Sequence, residues 1–330
     1  MSARFCGTGS CVPEYVMDND GVAELVETSD SWIRERTGIA RRHIAVKETT
    51  VSMASEAVMK ALDDAGVSPE ELDLILMSTI SSDVIIPCGA CEVQKAIGAD
   101  RAVCFDLNGA CTGFVLAYNT AQAYIDSGIY QTILIVGSES LSRLTNWKDR
   151  GTCILFGDGA GAAVIKKDER ASYIPVAHSD GNRGEALLCH SKREKNGLPM
   201  QKTDEIGEKH LTSEDYLMQM DGQGVFRFAI KQVPEVIQEV LEKNEVKPDE
   251  ISWYILHQAN RRILEAVAKR MGEPLSKFPM NMEEYGNTSS ASIPILLDEM
   301  NRDGRLKRGQ KIVLAGFGAG LTWGATIIEW

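Results

Sequence analysis

The chain has 330 residues, of which 44% are hydrophobic and 25% are charged, and its formal net charge is −12. This composition is typical of a globular protein with a large core, in one domain or in two fused halves. The negative charge argues against general nucleic-acid binding, which needs a basic surface, so an anionic partner would require a local cluster of cations.

No apolar run reaches the roughly 18 residues of a membrane span, and the first ten residues lack the apolar core of a signal peptide. The eight cysteines are scattered along the chain and do not form the framework of a small secreted protein. We therefore expect a cytoplasmic protein with reduced thiols and with neither a membrane nor a nucleic acid as partner.

The chain contains an internal repeat. Residues 55–79 predict an amphipathic helix, a turn at Pro69 and a buried strand, and residues 234–258 predict the same series around Pro248. The two prolines are 248 − 69 = 179 residues apart. Strands that alternate with helices predict mostly parallel sheets covered by helices.

The repeat continues downstream of these segments. Residues 108–140 and 286–318 each predict a small-residue turn, a helix, a short polar link and an apolar strand. We infer two copies of one α/β unit, in residues 1–170 and 171–330. Ligands in such folds bind beyond the carboxyl ends of the strands.

Three chemically versatile side chains lie at predicted strand ends. They are Cys111 after the strand "AVCFDL", His257 after "SWYIL" and Asn287 after the strand-like "KFPMN". Two duplicated halves that pack together can bring these ends to one place, which is the candidate active site.

Cys111 lies between small residues at the start of a predicted helix, in "DLNGACTGF". Its thiol has four candidate roles, in packing, metal binding, redox chemistry or nucleophilic attack. The positive end of the helix dipole favours the thiolate, and the small neighbours leave room for a substrate to approach the sulfur. These features favour the nucleophile.

Glycine-rich runs and a cysteine pair are the remaining motifs. Residues 157–164 and 316–324 follow apolar strands but lead into strand-like runs rather than helices, so they predict tight turns near the active site and not a dinucleotide site. The pair Cys88-x-x-Cys91 has no second pair and no nearby histidine, which argues against a zinc site and leaves a redox role open.

Six segments carry a resemblance to a known family. They are "TSDSWIRERTGI" (28–39), "NGACTGF" (108–114), "DRGTCILFGDGAGAAV" (149–164), "HQAN" (257–260), "YGNTSSAS" (285–292) and "GFGAGLTWGA" (316–325). In this order they resemble the β-ketoacyl-[acyl-carrier-protein] synthase III family of condensing enzymes, over nearly the whole chain except the charged stretch 191–212, which predicts an exposed insertion. The resemblance implies an α/β fold, the thiolase-like five-layer αβαβα fold built from two duplicated halves.

The resemblance implies a Cys-His-Asn triad. Cys111 would take an acyl group from acyl-CoA, and His257 and Asn287 would stabilise the enolate that forms when a malonyl thioester loses CO2. The backbone N–H groups of Cys111 and Ala319 would form the oxyanion site of the acyl transfer. No metal or redox cofactor enters this chemistry, in which coenzyme A is part of the substrate.

The resemblance also assigns contacts with coenzyme A. Trp32 and Arg150 match residues that sandwich the adenine, for which a flat indole and a guanidinium are suited. Thr28 and Arg36 match other cofactor contacts, and Asn260 matches a contact near the pantetheine arm.

Two protein partners follow from the same resemblance. Arg227, Arg262, Lys269 and Arg270 match a docking patch for acidic acyl-carrier proteins, although such charges are also common on a solvated helix face. Ile86 matches a residue that crosses into the partner subunit of a homodimer and closes its acyl pocket. Relatives often carry phenylalanine there, and isoleucine leaves room for longer or branched primers.

The implied function is decarboxylative condensation of an acyl-CoA primer with malonyl-acyl-carrier protein. It gives β-ketoacyl-acyl-carrier protein, CoA and CO2 and starts fatty-acid synthesis. Two alternatives stay open: a related acyltransferase of secondary metabolism, and a non-catalytic scaffold that binds acyl-CoA or carrier protein. Intact Cys111, His257 and Asn287 argue against the scaffold.

Overall fold

The computed structural model describes residues 2–169, 172–191 and 212–330. Its strands are β1 (Ser2–Cys11), β2 (Val16–Asp18), β3 (Arg41–His43), β4 (Leu74–Ser78), β5 (Val103–Leu107), β6 (Thr132–Ser140), β7 (Asp158–Asp168), β8 (Val176–Ser179), β9 (Leu187–Leu188), β10 (Gln219–Met220), β11 (Ile251–Leu256), β12 (Lys311–Gly318) and β13 (Thr322–Glu329). Its helices are α1 (Asn19–Ala23), α2 (Asp30–Thr37), α3 (Thr50–Ala65), α4 (Gly89–Ile97), α5 (Gly113–Asp126), α6 (Arg150–Cys153), α7 (Gly222–Lys243), α8 (Arg261–Met271), α9 (Met282–Tyr285) and α10 (Ser292–Arg302).

Two mixed sheets form the framework. The first has the order β1-β7-β6-β4-β5, in which β4 is parallel to β5 and β6 while β7 is antiparallel to β6 and β1. The second has the order β11-β12-β13-β8, in which only β11 and β12 are parallel. The prediction of mostly parallel sheets is wrong, because a turn as short as 319–321, which joins β12 to β13, makes the two strands antiparallel.

The sheets lie within a stack of five layers. Along β4, Leu74 and Leu76 belong to the apolar cluster between the two sheets, while Ile75 and Met77 belong to the cluster under α3 and α4. The middle cluster contains α5 and α10 with residues of both sheets, and a third cluster joins the second sheet to α7 and α8. This order of helix and sheet layers is the αβαβα arrangement that the resemblance implies.

The structure contains the predicted repeat. In the first half α3, a 3₁₀ turn at Pro69–Glu71 and β4 follow one another, as α7, a 3₁₀ turn at Pro248–Glu250 and β11 do in the second. The 3₁₀ turns before α5 and α10, Ala110–Thr112 and Ser289–Ala291, each begin with a non-glycine residue of positive φ, 44° and 50°. Their offset, 289 − 110 = 179 residues, equals that of the prolines.

Two local predictions are wrong. The run 277–281 forms no strand, because its first residue still belongs to the 3₁₀ helix Leu275–Lys277, and the second sheet has no counterpart of β5 in the described residues. The first glycine run lies within β7 rather than in a turn. At Gly161 a Cβ would lie 2.8 Å from the carbonyl carbon of Pro294, so the missing side chain lets α10 approach the sheet.

Other predictions concern parts of the chain that the structure does not describe. The boundary between the halves at 170/171 and residues 192–211 of the predicted insertion lie outside the described residues. In the described ranges, no helix combines the length and the apolar character needed to cross a bilayer.

Candidate active site

The three residues at the predicted strand ends line one cavity of about 920 Å³. Cys111 follows β5, His257 follows β11 directly, and Asn287 precedes the turn before α10. All three are more than nine-tenths buried, with exposed fractions of 7%, 1% and 7%. The packing of the two halves thus brings the predicted residues together.

Cys111 lies in the tight turn that leads into α5, beneath the end of β12. A Cβ on Gly318 would lie 3.0 Å from its sulfur, so β12 passes this close only with glycine there. Burial raises the pKa of the Cys111 thiol to about 11, while the nearby Ser289 hydroxyl opposes the rise and the charge of Glu139 adds to it. The predicted preference for the thiolate is wrong here, because the cost of burying a charge outweighs the helix dipole.

The two backbone groups of the expected oxyanion site lie at the same sulfur. The backbone N–H groups of Cys111 and Ala319 act on the Cys111 thiol as hydrogen-bond donors that lower its pKa. Among the described residues, positive φ outside glycine is confined to Ala110, Glu245 and Ser289, so Ala319 holds its position without a left-handed backbone. Acyl transfer stabilises its tetrahedral intermediate with donors placed at the former carbonyl oxygen, and two N–H groups close to the attacking sulfur are near that position.

His257 is oriented by Ser292. Its Nδ1 lies 2.8 Å from Ser292 Oγ, and the backbone N–H of Gln258 donates to the same oxygen at 3.3 Å. Nδ1 is the only acceptor that the described residues offer to the Ser292 hydroxyl, which therefore donates to it and leaves the ring proton on Nε2. Burial lowers the pKa of His257 to about 3, so the imidazole is neutral at physiological pH.

The Asn287 carboxamide is oriented in a similar way. Its Oδ1 accepts a hydrogen bond from the backbone N–H of Ser289 at 2.9 Å. Backbone hydrogen bonds with Leu155 and Gly157 hold the residue on both sides. Because its oxygen is engaged, the side chain offers its NH2 group as a donor.

Trp32 and two arginines form one end of the cavity. The Cζ atoms of Arg36 and Arg150 lie 4.6 and 4.8 Å from the centroid of the Trp32 ring. The predicted adenine partners Trp32 and Arg150 are therefore neighbours, stacked directly on each other. A ring that entered between them would displace the Arg150 guanidinium from this position.

The other two expected coenzyme A contacts differ in their surroundings. Asn260 lies in the cavity wall, where its Oδ1 caps α8 by accepting from the N–H of Arg262 at 2.8 Å and its Nδ2 donates to the carbonyl of Arg36 at 3.1 Å. Thr28 does not line the cavity, and its buried Oγ1 has no hydrogen-bond partner among the described residues.

The expected docking cations fall into two groups. Arg227 and Arg262 line the cavity, together with Arg36 and Arg150, which are expected contacts of coenzyme A. The acids in the wall, Asp149 and Asp221, accept hydrogen bonds from the first turns of α6 and α7. The cavity wall therefore carries more cations than acids on a chain of charge −12. Lys269 and Arg270 lie on α8 away from this cavity, and Arg270 pairs with Glu235 at 3.1 Å.

Sequence reasoning missed the groups that support the triad. Ser289 and Ser292 lie in the motif "YGNTSSAS", and their place on the turn that follows Asn287 was the available signal. For Glu139 the available signal was its place between two serines at the carboxyl end of β6. Its carboxyl group is buried and hydrogen-bonds with Ser81 Oγ at 2.6 Å and Ser290 Oγ at 2.8 Å, and burial raises its pKa to about 7.

Family models match both halves of the chain. Residues 105–181 match 3-oxoacyl-[acyl-carrier-protein (ACP)] synthase III, and residues 241–330 match the C-terminal region of the same family. The β-ketoacyl-[acyl-carrier-protein] synthase III of Clostridium acetobutylicum is 44% identical over 330 residues, which cover 100% of this chain and 99% of the relative.

Solved structures show the same similarity. The 3-oxoacyl-[acyl-carrier-protein] synthase III of Aquifex aeolicus has a TM-score of 0.90 at 39% identity, over 99% of this chain and 100% of that chain. The priming β-ketosynthase of the R1128 polyketide biosynthetic pathway has a TM-score of 0.90 at 33% identity, over 99% and 96%. Because the similarity in sequence and fold extends along both chains, this chain belongs to the β-ketoacyl-[acyl-carrier-protein] synthase III family of acyltransferases.

Proposed function

We propose that the protein condenses an acyl-CoA primer with malonyl-acyl-carrier protein, releasing CoA and CO2, and so starts fatty-acid synthesis. The observation that carries the proposal is the meeting of Cys111, a neutral His257 and an oriented Asn287 in one buried cavity. A thiol supports acyl transfer, and two neutral N–H donors support enolate formation.

The first step is transfer of the acyl group to Cys111. The sulfur attacks the thioester carbonyl, the bond to the CoA sulfur breaks, and the thiol proton ends on CoA. The N–H groups of Cys111 and Ala319 stabilise the oxyanion that forms in between. Since the free thiol has a pKa of about 11, the protonated form is the resting state and the attack depends on these donors.

The second step joins the two substrates. The malonyl group loses CO2, the electron pair remains on the thioester enolate, and Nε2–H of His257 and the NH2 group of Asn287 donate to the enolate oxygen. The enolate carbon then attacks the acyl-cysteine, the C–S bond breaks, and the Cys111 sulfur takes a proton from solvent. Decarboxylation itself supplies the carbanion, so we propose that no separate cofactor takes part.

Trp32, Arg36 and Arg150 are proposed to hold the nucleotide end of CoA. The guanidinium groups stack on the indole within 5 Å of its centroid, and stacking on adenine uses the same faces. Asn260, nearer the triad, is proposed to contact the pantetheine arm. Thr28 stays a prediction from the resemblance, because its hydroxyl is buried and does not line the cavity.

The carrier protein is proposed to dock where Arg227 and Arg262 line the cavity, with Lys269 and Arg270 at the periphery.

We expect Arg262→Glu to raise KM for malonyl-carrier protein about tenfold, and Arg270→Glu, farther from the cavity, to raise it less. Both should leave acyl-enzyme formation unchanged. Equal rates with malonyl-CoA and malonyl-carrier protein in the unaltered enzyme would contradict the docking proposal.

We propose a cytoplasmic homodimer in which Ile86 reaches the partner's acyl pocket. Ile85 and Ile86 are 93% and 87% exposed, beside β5, which has a strand partner on one side only in the described residues. Exposed apolar side chains next to an open strand edge favour a second copy as partner. Light scattering tests the homodimer by measuring the mass in solution. The role of Ile86 is tested by Ile86→Phe, which should shift the primer preference towards shorter acyl chains.

A polyketide-priming role is the second candidate, favoured by the similarity to the R1128 ketosynthase. The experiment for both is incubation with radiolabelled acyl-CoA primers, then with malonyl-carrier protein. The proposed chemistry is supported if the enzyme becomes labelled, if Cys111→Ser abolishes this labelling while Cys104→Ser retains it, and if a labelled β-ketoacyl product then forms. The preferred primer distinguishes the fatty-acid role from the polyketide role. Absence of Cys111-dependent labelling with every primer would overturn it in favour of a scaffold.

A further inference from the structure

Arg42, on β3, is a fully buried arginine that does not line the catalytic cavity. Its Nη1 donates to Asn19 Oδ1 at 2.9 Å and to the carbonyl of Met17 at 3.4 Å, and its Nη2 donates to the carbonyl of Ile154 at 2.8 Å. Its Nε is buried without a hydrogen-bond partner among the described residues. The guanidinium thus joins three separate segments of the chain, at β2, at α1 and at the end of α6.

This side chain places a charge in the protein interior. Its hydrogen-bond acceptors in the described part of the chain are neutral oxygens, and burial lowers the pKa of Arg42 to about 10, which leaves it a cation at neutral pH. Burying a cation among neutral acceptors costs free energy that burying an apolar side chain does not. What the guanidinium alone supplies is a planar fork, which holds acceptors of different segments at fixed distances. Such a fork is suited to positioning.

The segment that Arg42 holds most directly lies beside Asn287. Its Nη2 binds the first carbonyl of residues 154–157, and the backbone of this segment makes hydrogen bonds with both the N–H and the carbonyl of Asn287. The base of the side chain packs against the same place. A Cβ on Gly157 or on Gly286 would lie 3.1 or 3.3 Å from the Cβ of Arg42. Arg42 therefore contacts the chain on both sides of the Asn287 backbone.

We propose that Arg42 is a positioning residue that holds Asn287 where its NH2 group reaches the enolate oxygen. This inference rests on the proposed function, in which Asn287 acts in the decarboxylation step. Without the fork, the carbonyl of Ile154 loses its donor, and the segment that is hydrogen-bonded to Asn287 shifts. A displacement of about 1 Å at a donor is enough to lower a rate strongly, even when the altered residue does not touch the substrate.

A second connection leads from Arg42 to the other end of the cavity. Asn19 Nδ2 donates to Asp30 Oδ1 at 2.9 Å, and Asp30 begins α2, which carries the proposed adenine partner Trp32. An effect through this connection would raise KM for the acyl-CoA primer and leave condensation unchanged. Because Arg42 packs directly on the backbone around Asn287, we expect the effect in condensation instead.

The experiment compares equivalent substitutions at two neighbouring arginines. Arg42→Met keeps an unbranched side chain and removes its donors, while Arg41→Met is the control, because Arg41 is half-exposed and pairs with Glu284 at 3.3 Å at the surface. Rapid-quench assays measure acylation of Cys111 by acyl-CoA and then reaction of the acyl-enzyme with malonyl-carrier protein. We expect Arg42→Met to lower the second rate about tenfold and the first by no more than about twofold, and Arg41→Met to leave both within about twofold.

A double variant separates positioning from a general loss of structure. In the Asn287→Ala background, Arg42→Met should lower condensation by no more than about twofold further, because the group that Arg42 positions is already absent. Arg42→Lys, which keeps a cation that can donate, should be at least about threefold faster than Arg42→Met. An undiminished further loss in the Asn287→Ala background overturns the proposal, as does a rise in KM for acyl-CoA with unchanged condensation.

A spectroscopic measurement tests Arg42 without reference to activity. In nitrogen NMR, the side-chain carboxamide signal of Asn287 is assigned by its absence from Asn287→Ala. We expect this signal to shift in Arg42→Met and to stay in place in Arg41→Met. Circular dichroism verifies that each variant is folded, and Arg42→Lys replaces Arg42→Met in every comparison if the latter is not. An unmoved signal overturns the positioning role, whereas absence of condensation in the unaltered enzyme overturns the proposed function alone.

Discussion

The turns Ala110–Thr112 and Ser289–Ala291 share their backbone but differ in their surroundings. Both begin with a residue of positive φ, both lead into a buried helix, and they contact each other. The first presents Cys111 to the cavity. In the second, Ser290 takes the corresponding place, and its Oγ lies 2.8 Å from Glu139 Oε1 and 3.0 Å from the carbonyl of Ser78.

Equivalent positions in the two copies of the duplicated unit therefore have different roles. One copy carries the proposed nucleophile, Cys111, while the equivalent side chain of the other copy, Ser290, is hydrogen-bonded in the protein interior. The flanking residues Asn287, Ser289 and Ser292 then organise the donors around the thiol. The following experiments change the two turns or residues that flank or contact the second one.

The largest effect is expected from paired alanine substitutions at the equivalent positions. Cys111→Ala should lower condensation by at least about 1,000-fold, because no acyl-enzyme forms. Ser290→Ala should keep the rate within about threefold and lower the free energy of unfolding by about 1–3 kcal/mol, since Glu139 loses a buried partner. Condensation assays and urea unfolding measure the two quantities. Similar losses of activity in both variants would contradict different roles for Cys111 and Ser290.

The next largest effect concerns Asn287. Asn287→Ala should lower condensation about 100- to 1,000-fold by removing one donor to the enolate, while labelling of Cys111 by acyl-CoA stays within severalfold. Asn287→Asp, which keeps the size but cannot donate when ionised, should lose as much. Rapid-quench measurement of both steps separates them. An equal loss in acyl-enzyme formation would place the residue in the first step instead.

Glu139 links the second turn to pH-dependent stability. Its pKa is about 7 in the folded protein against an ordinary 4.5, so its contribution is fully present below pH 4.5 and is lost as pH rises through 7. Glu139→Gln lacks this titration, and the free energy of unfolding of the unaltered protein should fall relative to the variant by about 2–3 kcal/mol between pH 4.5 and 7.5. Urea unfolding across this range measures it; parallel pH curves would refute the assignment.

The smallest effect is expected at Ser292. Ser292→Ala should lower kcat about five- to tenfold with KM unchanged, because loss of a hydrogen bond worth about 1 kcal/mol releases the His257 tautomer. Nitrogen NMR of His257 should show the proton distributed between Nδ1 and Nε2, whereas Ser292→Thr, which keeps the hydroxyl, should retain it on Nε2. An unchanged tautomer in the alanine variant would show that Ser292 only packs.

The triad could be predicted because its motifs surround residues whose chemistry is specific, and the repeat was visible in helix and strand periodicity. The strand directions within the sheets could not be predicted, because the alternation of helices and strands does not reveal which strands are joined by a turn as short as 319–321. The predicted strand at 277–281 was wrong because so short an apolar run does not reveal that it begins in a 3₁₀ helix, Leu275–Lys277.

By itself the sequence determined the family, the duplicated fold and the three candidate side chains that meet in the cavity, because these depend on residue identity and on local pattern. Only the tertiary structure decided that burial raises the pKa of the Cys111 thiol, that Ser292 lies at hydrogen-bond distance from His257, and which arginines line the cavity. These properties depend on burial and on distances between residues far apart in the chain. Desolvation and long-range hydrogen bonds arise only when the two halves pack together.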